Sequence, residues 1–358
     1  MIAAGLLHDM AALQGNQHAE RAYKRAAKAV IGLPMPVSDL VQAGTLRDVP
    51  FIGSSSARVI IELVETGSSK TVDTAVASSS THATRVRTLR QLRSDFLSQF
   101  AMEQVLGLPA GSNVVSKAEF RGDFQMHSTW SDGGESIDAM AQAGMALGHT
   151  CMGITDHSYG LPIARGMTME AVTKQHREID GLNARLAGRF RVFKGIEANI
   201  LADGELDLQI DERRVFEFVV ASPHSELRRE HDQTSRMLRA VKQPGVAILG
   251  HPQGRMFNTR KGVAADWPRI FAEAAKRRIA IEIDGNWHRQ DVPYGLARQA
   301  LDAGCLFALD SDAHSIGELR FTDYSIAHAR LAGVPTERVI NCWSDAQLEE
   351  WMAERRDR

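Results

Sequence analysis

Hydrophobic and polar positions change their rhythm near residue 120 of this 358-residue chain. Before that point apolar residues recur at helical spacing; after it, short apolar runs alternate with amphipathic stretches. Residues 2–14 and 18–31 read as two amphipathic helices, the first with Leu6, Leu7, Met10 and Leu13 on one stripe. Pro34 and Pro36 break the second, and 37–43 reads as a shorter third helix with a cap signal. Leu46-Arg-Asp-Val-Pro-Phe-Ile-Gly53-Ser-Ser-Ser-Ala57 predicts helix, tight turn, helix, ending at Thr66-Gly67. Residues 68–83, rich in Ser, Thr and Ala, read as a linker. A helical stretch follows over about 84–106, carrying Arg85, Arg87, Arg90 and Arg93.

From Arg121 onward, seven apolar runs have the length of buried strands: 123–127, 150–156, 190–197, 216–222, 246–251, 279–284 and 306–310. Helical segments at 136–147, 169–186, 234–241, 267–276 and 294–303 separate them. Such alternation predicts a parallel sheet with helices outside. Seven repeats exceed what most open sheets need, which favours closure toward a barrel.

Composition adds boundaries rather than detail. The chain is 44% hydrophobic and 24% charged with a net charge of −2. This balance gives no global argument for nucleic-acid or membrane binding. Cys151, Cys305 and Cys342 lie far apart, which argues against a disulfide framework and a thiolate zinc site. The apolar start is cut off by His8 and Asp9, too short for a signal-peptide core, and no run of eighteen apolar residues exists. A cytoplasmic location without membrane contact is the expectation.

Where the polar residues fall is more informative. Six of the seven apolar runs end in, or lead directly into, a His, Asp or Glu. They are Gln125-Met-His127 followed by Asp132, Asp156-His157, Glu197, His224, His251, and Asp310-Ser-Asp312-Ala-His314. In parallel α/β folds the C-terminal strand ends share one face, so these residues should converge. A lone histidine is usually a surface or capped group, and Gly-His-Pro or Ser-Pro-His alone is turn chemistry. Repetition at the same end of nearly every strand is something turn chemistry does not supply. Imidazoles and carboxylates without cysteine suit Zn, Mn or Fe. The number of candidates implies two or three ions, with a carboxylate such as Glu197 able to serve two. Ions held in this way activate water and stabilise charge on a departing oxygen. Arg165, Lys194 and Arg255 lie beside these motifs and are candidate phosphate contacts. His288 and Asp291, after the sixth run, are placed where they could line the mouth of the site.

The motifs resemble those of the PHP (polymerase and histidinol phosphatase) family of metal-dependent phosphoesterases. The match runs through Gly122-Asp-Phe-Gln-Met-His127-Ser-Thr-Trp-Ser-Asp132-Gly, Ile154-Thr-Asp-His157-Ser, Gly195-Ile-Glu197-Ala-Asn, Ser222-Pro-His224, Gly250-His251-Pro-Gln-Gly-Arg255 and Ser311-Asp312-Ala-His314. It covers roughly residues 119–345, in family order. The resemblance implies a distorted (β/α)7 TIM-like barrel holding two or three divalent ions (Zn, Mn or Fe). Carried over, His127, Glu197 and Asp312 would hold the first ion and stand as the catalytic candidates. Glu197, His224 and His251 would hold the second ion, and Asp132, His157 and His314 the third. The family's opening motif is His-x-His; here Gln125 replaces its first histidine and is retained as a possible ligand, with a weaker first site expected.

Residues 1–67 resemble the helical DNA-end-binding domain of bacterial family X DNA polymerases, including Arg21-Ala-Tyr-Lys-Arg-Ala-Ala-Lys28 and the helix–hairpin–helix at 46–67. That hairpin usually reads Pro-Gly-Ile-Gly, and Phe51 takes the place of its first glycine. Residues 68–120 contain no Asp-x-Asp pair and too little length for a polymerase palm, so no polymerase activity is expected. The expected organisation is a helix-hairpin-helix domain at 1–67, a linker and helix at 68–118, and a phosphoesterase barrel at 119–358. The expected substrate is a phosphate ester, with DNA ends as the partner and 3′–5′ exonuclease-like hydrolysis as the leading activity. A small-molecule phosphatase and a catalytically weak DNA-end-binding module are the alternatives.

Overall fold

The apolar runs after residue 120 become seven parallel strands, each following its predecessor in space. They are β1 (Gly122–Asp123), β2 (Cys151–Ile154), β3 (Arg191–Asn199), β4 (Phe218–Ser222), β5 (Val246–Leu249), β6 (Ala280–Asp284) and β7 (Leu306–Asp310). The computed structural model describes residues 1–109, 111 and 113–356. β2 and β4 to β7 are buried at every position, the pattern of strands covered on both faces, which is why they read as continuous apolar runs. β1 is shorter than the expected 123–127. The amides that follow it bond to side chains instead of a ladder: Phe124 N to Asp310 Oδ1 at 2.8 Å and Met126 N to Thr155 Oγ1 at 3.1 Å.

The sheet nearly closes on itself. A parallel bridge joins Met126 to Ala313, and His127 N donates to Ala313 O at 2.8 Å. Asn341 completes the seam: its Nδ2 donates to Gly122 O (2.8 Å), Leu309 O (3.0 Å) and Asp310 Oδ1 (2.9 Å), and its Oδ1 accepts from Leu309 N (2.7 Å). Phe124, Phe193 and Phe218 pack inside with Val220 and Ile248, against Leu348, Trp351 and Met352 of the helix Asp345–Arg356. Gly153 and Gly195 carry no β-carbon because one at either position would collide with the Phe218 ring. This apolar filling leaves the C-terminal strand ends as the polar end of the barrel. The intervening helices are Ile137–Ala146, Met169–Leu186, Thr234–Val241, Trp267–Arg277, Tyr294–Asp302 and Thr322–Ala332. Ser136, Thr168 and Asp266 cap the first, second and fourth of these by accepting from backbone amides.

The chain divides into two compact units, Met1–Leu108 with Met256–Arg260, and the remainder from Pro109. Met1–Leu108 carries helices at Ile2–Ala12, Gln17–Ile31, Val37–Gln42, Ser54–Thr66, Lys70–Ala77, Ser80–Arg90 and Gln99–Gly107, and Met256 and Arg260 form an antiparallel bridge. The stretch read as a linker therefore forms two helices, capped by the Ser69 and Ser79 side chains. The helix expected over 84–106 is interrupted between Arg90 and Gln99, where Ser98 starts a new one. In the hairpin, Phe51 adopts φ 69°, the left-handed conformation that glycine takes most easily. Its ring is exposed, and the Arg25 guanidinium lies 5.5 Å from its centroid. Buried Asp9 takes up two of the four arginines, pairing with Arg90 and Arg93 at 2.7 Å each. Arg85 and Arg87 are exposed. No helix is long and apolar enough to cross a membrane among the described residues.

Candidate metal centre

Glu197, near the end of β3, is the hub of the polar end. Its Oε1 lies 2.9 Å from His251 Nε2 and 3.4 Å from His224 Nε2; its Oε2 lies 2.9 Å from His157 Nδ1 and 3.6 Å from His127 Nε2. His127 Nε2 also approaches Asp312 Oδ1 at 3.2 Å. Asp132 Oδ1 stands 3.3 Å from His314 Nε2 and 3.6 Å from His157 Nε2. The His127 ring is stacked between His157 and His314, with centroids 4.4 and 4.2 Å away. Three overlapping groups have the spacing to hold an ion: His127–Asp132–His157–His314, His157–Glu197–His224, and His127–Glu197–Asp312.

Neighbouring polar groups fix these side chains. Asp156 accepts from Ser128 N (2.8 Å), Ser128 Oγ (2.6 Å), Ser131 N (3.1 Å), Ser131 Oγ (2.5 Å) and Gln175 Nε2 (2.6 Å). One carboxylate thereby shapes the loop between His127 and Asp132. His224 Nδ1 donates to Asn199 Oδ1 at 2.6 Å, leaving Nε2 for the centre. Asn199 is in turn held by Asp207, which accepts from its backbone N at 3.0 Å and from its Nδ2. His314 Nδ1 donates to Asp312 O at 2.9 Å, which directs Nε2 inward in the same way. Glu282 accepts from His251 N.

Electrostatics keep the Glu197 and Asp132 carboxylates at this end of the barrel ionised. Burial opposes ionisation of Glu197, but His157 and His224 hold its carboxyl well below the usual range. Burial likewise opposes charge on Asp132, but its hydrogen bond to His314 and the nearby charge of His157 bring it down to about 2. Burial, with His157 and His314 alongside, lowers His127, and burial with Arg289 lowers His251 to about 4. His314, drawn upward by Asp132 and Asp312 against its burial, reaches about 10. Ionised carboxylates thus sit among imidazoles, two of which keep free lone pairs at neutral pH. Several buried atoms here also lack a well-aligned hydrogen bond: Gln125 Oε1, His127 Nδ1, His157 Nδ1, Glu197 Oε2, both His251 ring nitrogens and Asp312 Oδ2. Orphaned buried polar atoms are costly in an ordinary interior. A divalent cation suits their nitrogen and oxygen donors, so the residues present fit the expected metal.

All eight His, Asp and Glu candidates gather here. Gln125 joins them through its amide N–H, with Nε2 donating to Glu197 Oε1 at 2.9 Å, rather than through its oxygen. The candidate phosphate contacts fare differently. Lys194 pairs with Asp180 at 2.6 Å, on the helix Met169–Leu186. Side chains alternate along a strand, so Lys194 and Glu197, an odd number of residues apart, face opposite sides of β3. Arg255 is 8% exposed and lies beside Asp291, whose carboxylate accepts from Arg255 N at 3.4 Å. Arg165 is exposed after the turn Pro162–Ala164, at φ 56°. The sequence reading missed Arg289, whose Nη2 lies 3.5 Å from Asp312 Oδ2 and Nε 3.8 Å from Asp284 Oδ2. Its neighbours His288 and Asp291 marked the right turn, but nothing in their spacing singled out the arginine. Asn199 and Asp207 were also not identified as positioning residues.

A helix-hairpin-helix domain family model matches residues 3–69. The chain is 35% identical over 240 residues to the DNA polymerase/3′-5′ exonuclease PolX of Bacillus subtilis, covering 67% of this chain and 42% of that protein. It thus spans less than half the length of that relative. A probable phosphatase of Caldanaerobacter subterraneus subsp. tengcongensis is 26% identical over 178 residues, covering 47% of this chain and 67% of that one. The crystal structure of a histidinol phosphate phosphatase from Lactococcus lactis, complexed with zinc, L-histidinol and phosphate, aligns with a TM-score of 0.45 at 18% identity. That alignment covers 58% of this chain and 93% of the other.

Proposed function

We propose that this chain, which belongs to the PHP family of metal-dependent phosphoesterases and carries a helix-hairpin-helix domain before its barrel, hydrolyses phosphodiester bonds at nucleic-acid ends. The observation that carries the reading is the gathering of Glu197 and seven other ligand-type side chains at one end of the barrel, in a chain that also matches a helix-hairpin-helix domain. Divalent ions held by His127, Asp132, His157, Glu197, His224, His251, Asp312 and His314 would supply Lewis-acid activation of water and of the phosphoryl oxygens.

The chain's own groups do the rest. The Arg289 guanidinium, anchored between Asp284 and Asp312, presents N–H donors to a phosphoryl oxygen beside the cluster. Exposed Arg165 adds positive charge at the rim. Glu197, His127 and Asp312 form the buried floor, so attack takes place where water is limited and electrostatic interactions are strong. In the helical unit, exposed Arg85 and Arg87 remain for strand contacts, while Arg90 and Arg93 are committed to Asp9. The B. subtilis relative, named as a 3′-5′ exonuclease, supports the choice of polarity.

The test is Mn²⁺-supplemented digestion of 5′-labelled single-stranded DNA by the wild type and His224→Ala. Stepwise 3′ shortening, lost in the variant, is the expected outcome. Hydrolysis of small phosphate monoesters with the DNA left intact would overturn the nucleic-acid assignment.

A further inference from the structure

The three ligand groups are not equal. His127–Glu197–Asp312 has only Asp312 to itself and His157–Glu197–His224 only His224, but the latter is supplemented by His251, whose Nε2 lies 2.9 Å from Glu197 Oε1. The second oxygen of Asp312 already faces a fixed cation, Arg289, at 3.5 Å. A dication beside Asp312 must be placed near that guanidinium, and like charges repel. Gln125 does not make up the deficit. A carboxylate only accepts hydrogen bonds, so the amide must turn its NH2 toward Glu197, as it does at 2.9 Å. Its buried oxygen then points toward Gly250, where a β-carbon would lie 3.2 Å away.

We propose that this site is completed by the substrate: it holds an ion firmly only when a phosphate oxyanion lies between it and Arg289. The oxyanion supplies the missing anionic donor and neutralises the guanidinium together. Phosphate and the ion at His127–Glu197–Asp312 therefore bind cooperatively, each raising the other's affinity by the same factor. Gln125 is the positioning residue that keeps Glu197 aligned for the two permanent sites. The inference rests on the metal-centre reading above and adds an order of assembly to it.

The test counts ions without measuring turnover. The full chain, stripped with chelator, is dialysed to equilibrium against Mn²⁺ with and without inorganic phosphate, and bound Mn²⁺ per chain is measured by elemental analysis. One additional ion per chain in phosphate is expected, with phosphate affinity rising at least about tenfold when Mn²⁺ is present. Gln125→His, which places an imidazole lone pair at the same position, should bind the additional ion without phosphate. Since that buried variant could misfold, Arg289→Gln provides a second route, removing the competing cation and likewise making the ion independent of phosphate. Equal counts with and without phosphate in the wild type would overturn the proposal while leaving the metal centre standing. A chain that binds no Mn²⁺ in either condition would overturn both.

Discussion

Glu197 and Lys194 lie three positions apart on one strand and have unrelated roles. The sequence told their residue types but not their facing; alternation about β3 sends the carboxylate into the centre and the ammonium to Asp180. Ligand-type residues at strand ends were legible because the same chemistry recurs at six of the seven runs. Positioning groups were not, because Asn199 and Asp207 act through a fold-dependent relay to His224. That relay makes a residue-scale prediction. Asp207→Asn replaces a double acceptor with a group that must present one NH2, releasing the Asn199 amide and with it the His224 ring. Metal affinity should fall roughly 10- to 100-fold, the usual cost of losing an outer-shell partner. Competition with a chromogenic chelator measures it, and an unchanged affinity would remove Asp207 from the account.

Among the elements, the seven parallel strands and the helices between them followed from periodicity, whereas the seam that closes the barrel did not. The seam between β1 and β7 is made by Met126, Ala313 and above all the Asn341 side chain, which no hydrophobic pattern encodes. Helix breaks in the first unit were equally hidden. Ser69, Ser79 and Ser98 act as caps, yet Ser-rich composition reads as linker until the helices are seen. The Phe51 turn shows the converse: the backbone keeps the left-handed geometry although the glycine is gone, at a cost of about 1–2 kcal/mol. Asn341→Ala should leave buried carbonyls and the Leu309 amide unpaired and destabilise the barrel by about 3 kcal/mol. All five tryptophans (Trp130, Trp267, Trp287, Trp343 and Trp351) belong to the barrel unit, so urea unfolding followed by tryptophan fluorescence isolates its transition. A loss under about 1 kcal/mol would mean that the seam is held elsewhere.

For the whole molecule, two signals that composition obscures come together in one chain. Net charge near zero says nothing of DNA, and pairing of Arg90 and Arg93 with Asp9 shows why counting basic residues overstates a binding stripe. What distinguishes the molecule is a barrel whose lower interior is filled with aromatic side chains and whose polar end collects orphaned nitrogen and oxygen atoms around one carboxylate. In the proposed function this carboxylate organises a metal-dependent hydrolytic site. The most direct measurement is kcat/KM for bis-p-nitrophenyl phosphate, on chelated and Mn²⁺-reloaded protein, for the wild type and Glu197→Gln. Reloading should restore wild-type turnover, and the variant should remain at least about 10³-fold slower, a loss of about 4 kcal/mol in transition-state stabilisation. Turnover that survives chelation, or a Glu197→Gln variant within tenfold of the wild type, would contradict it.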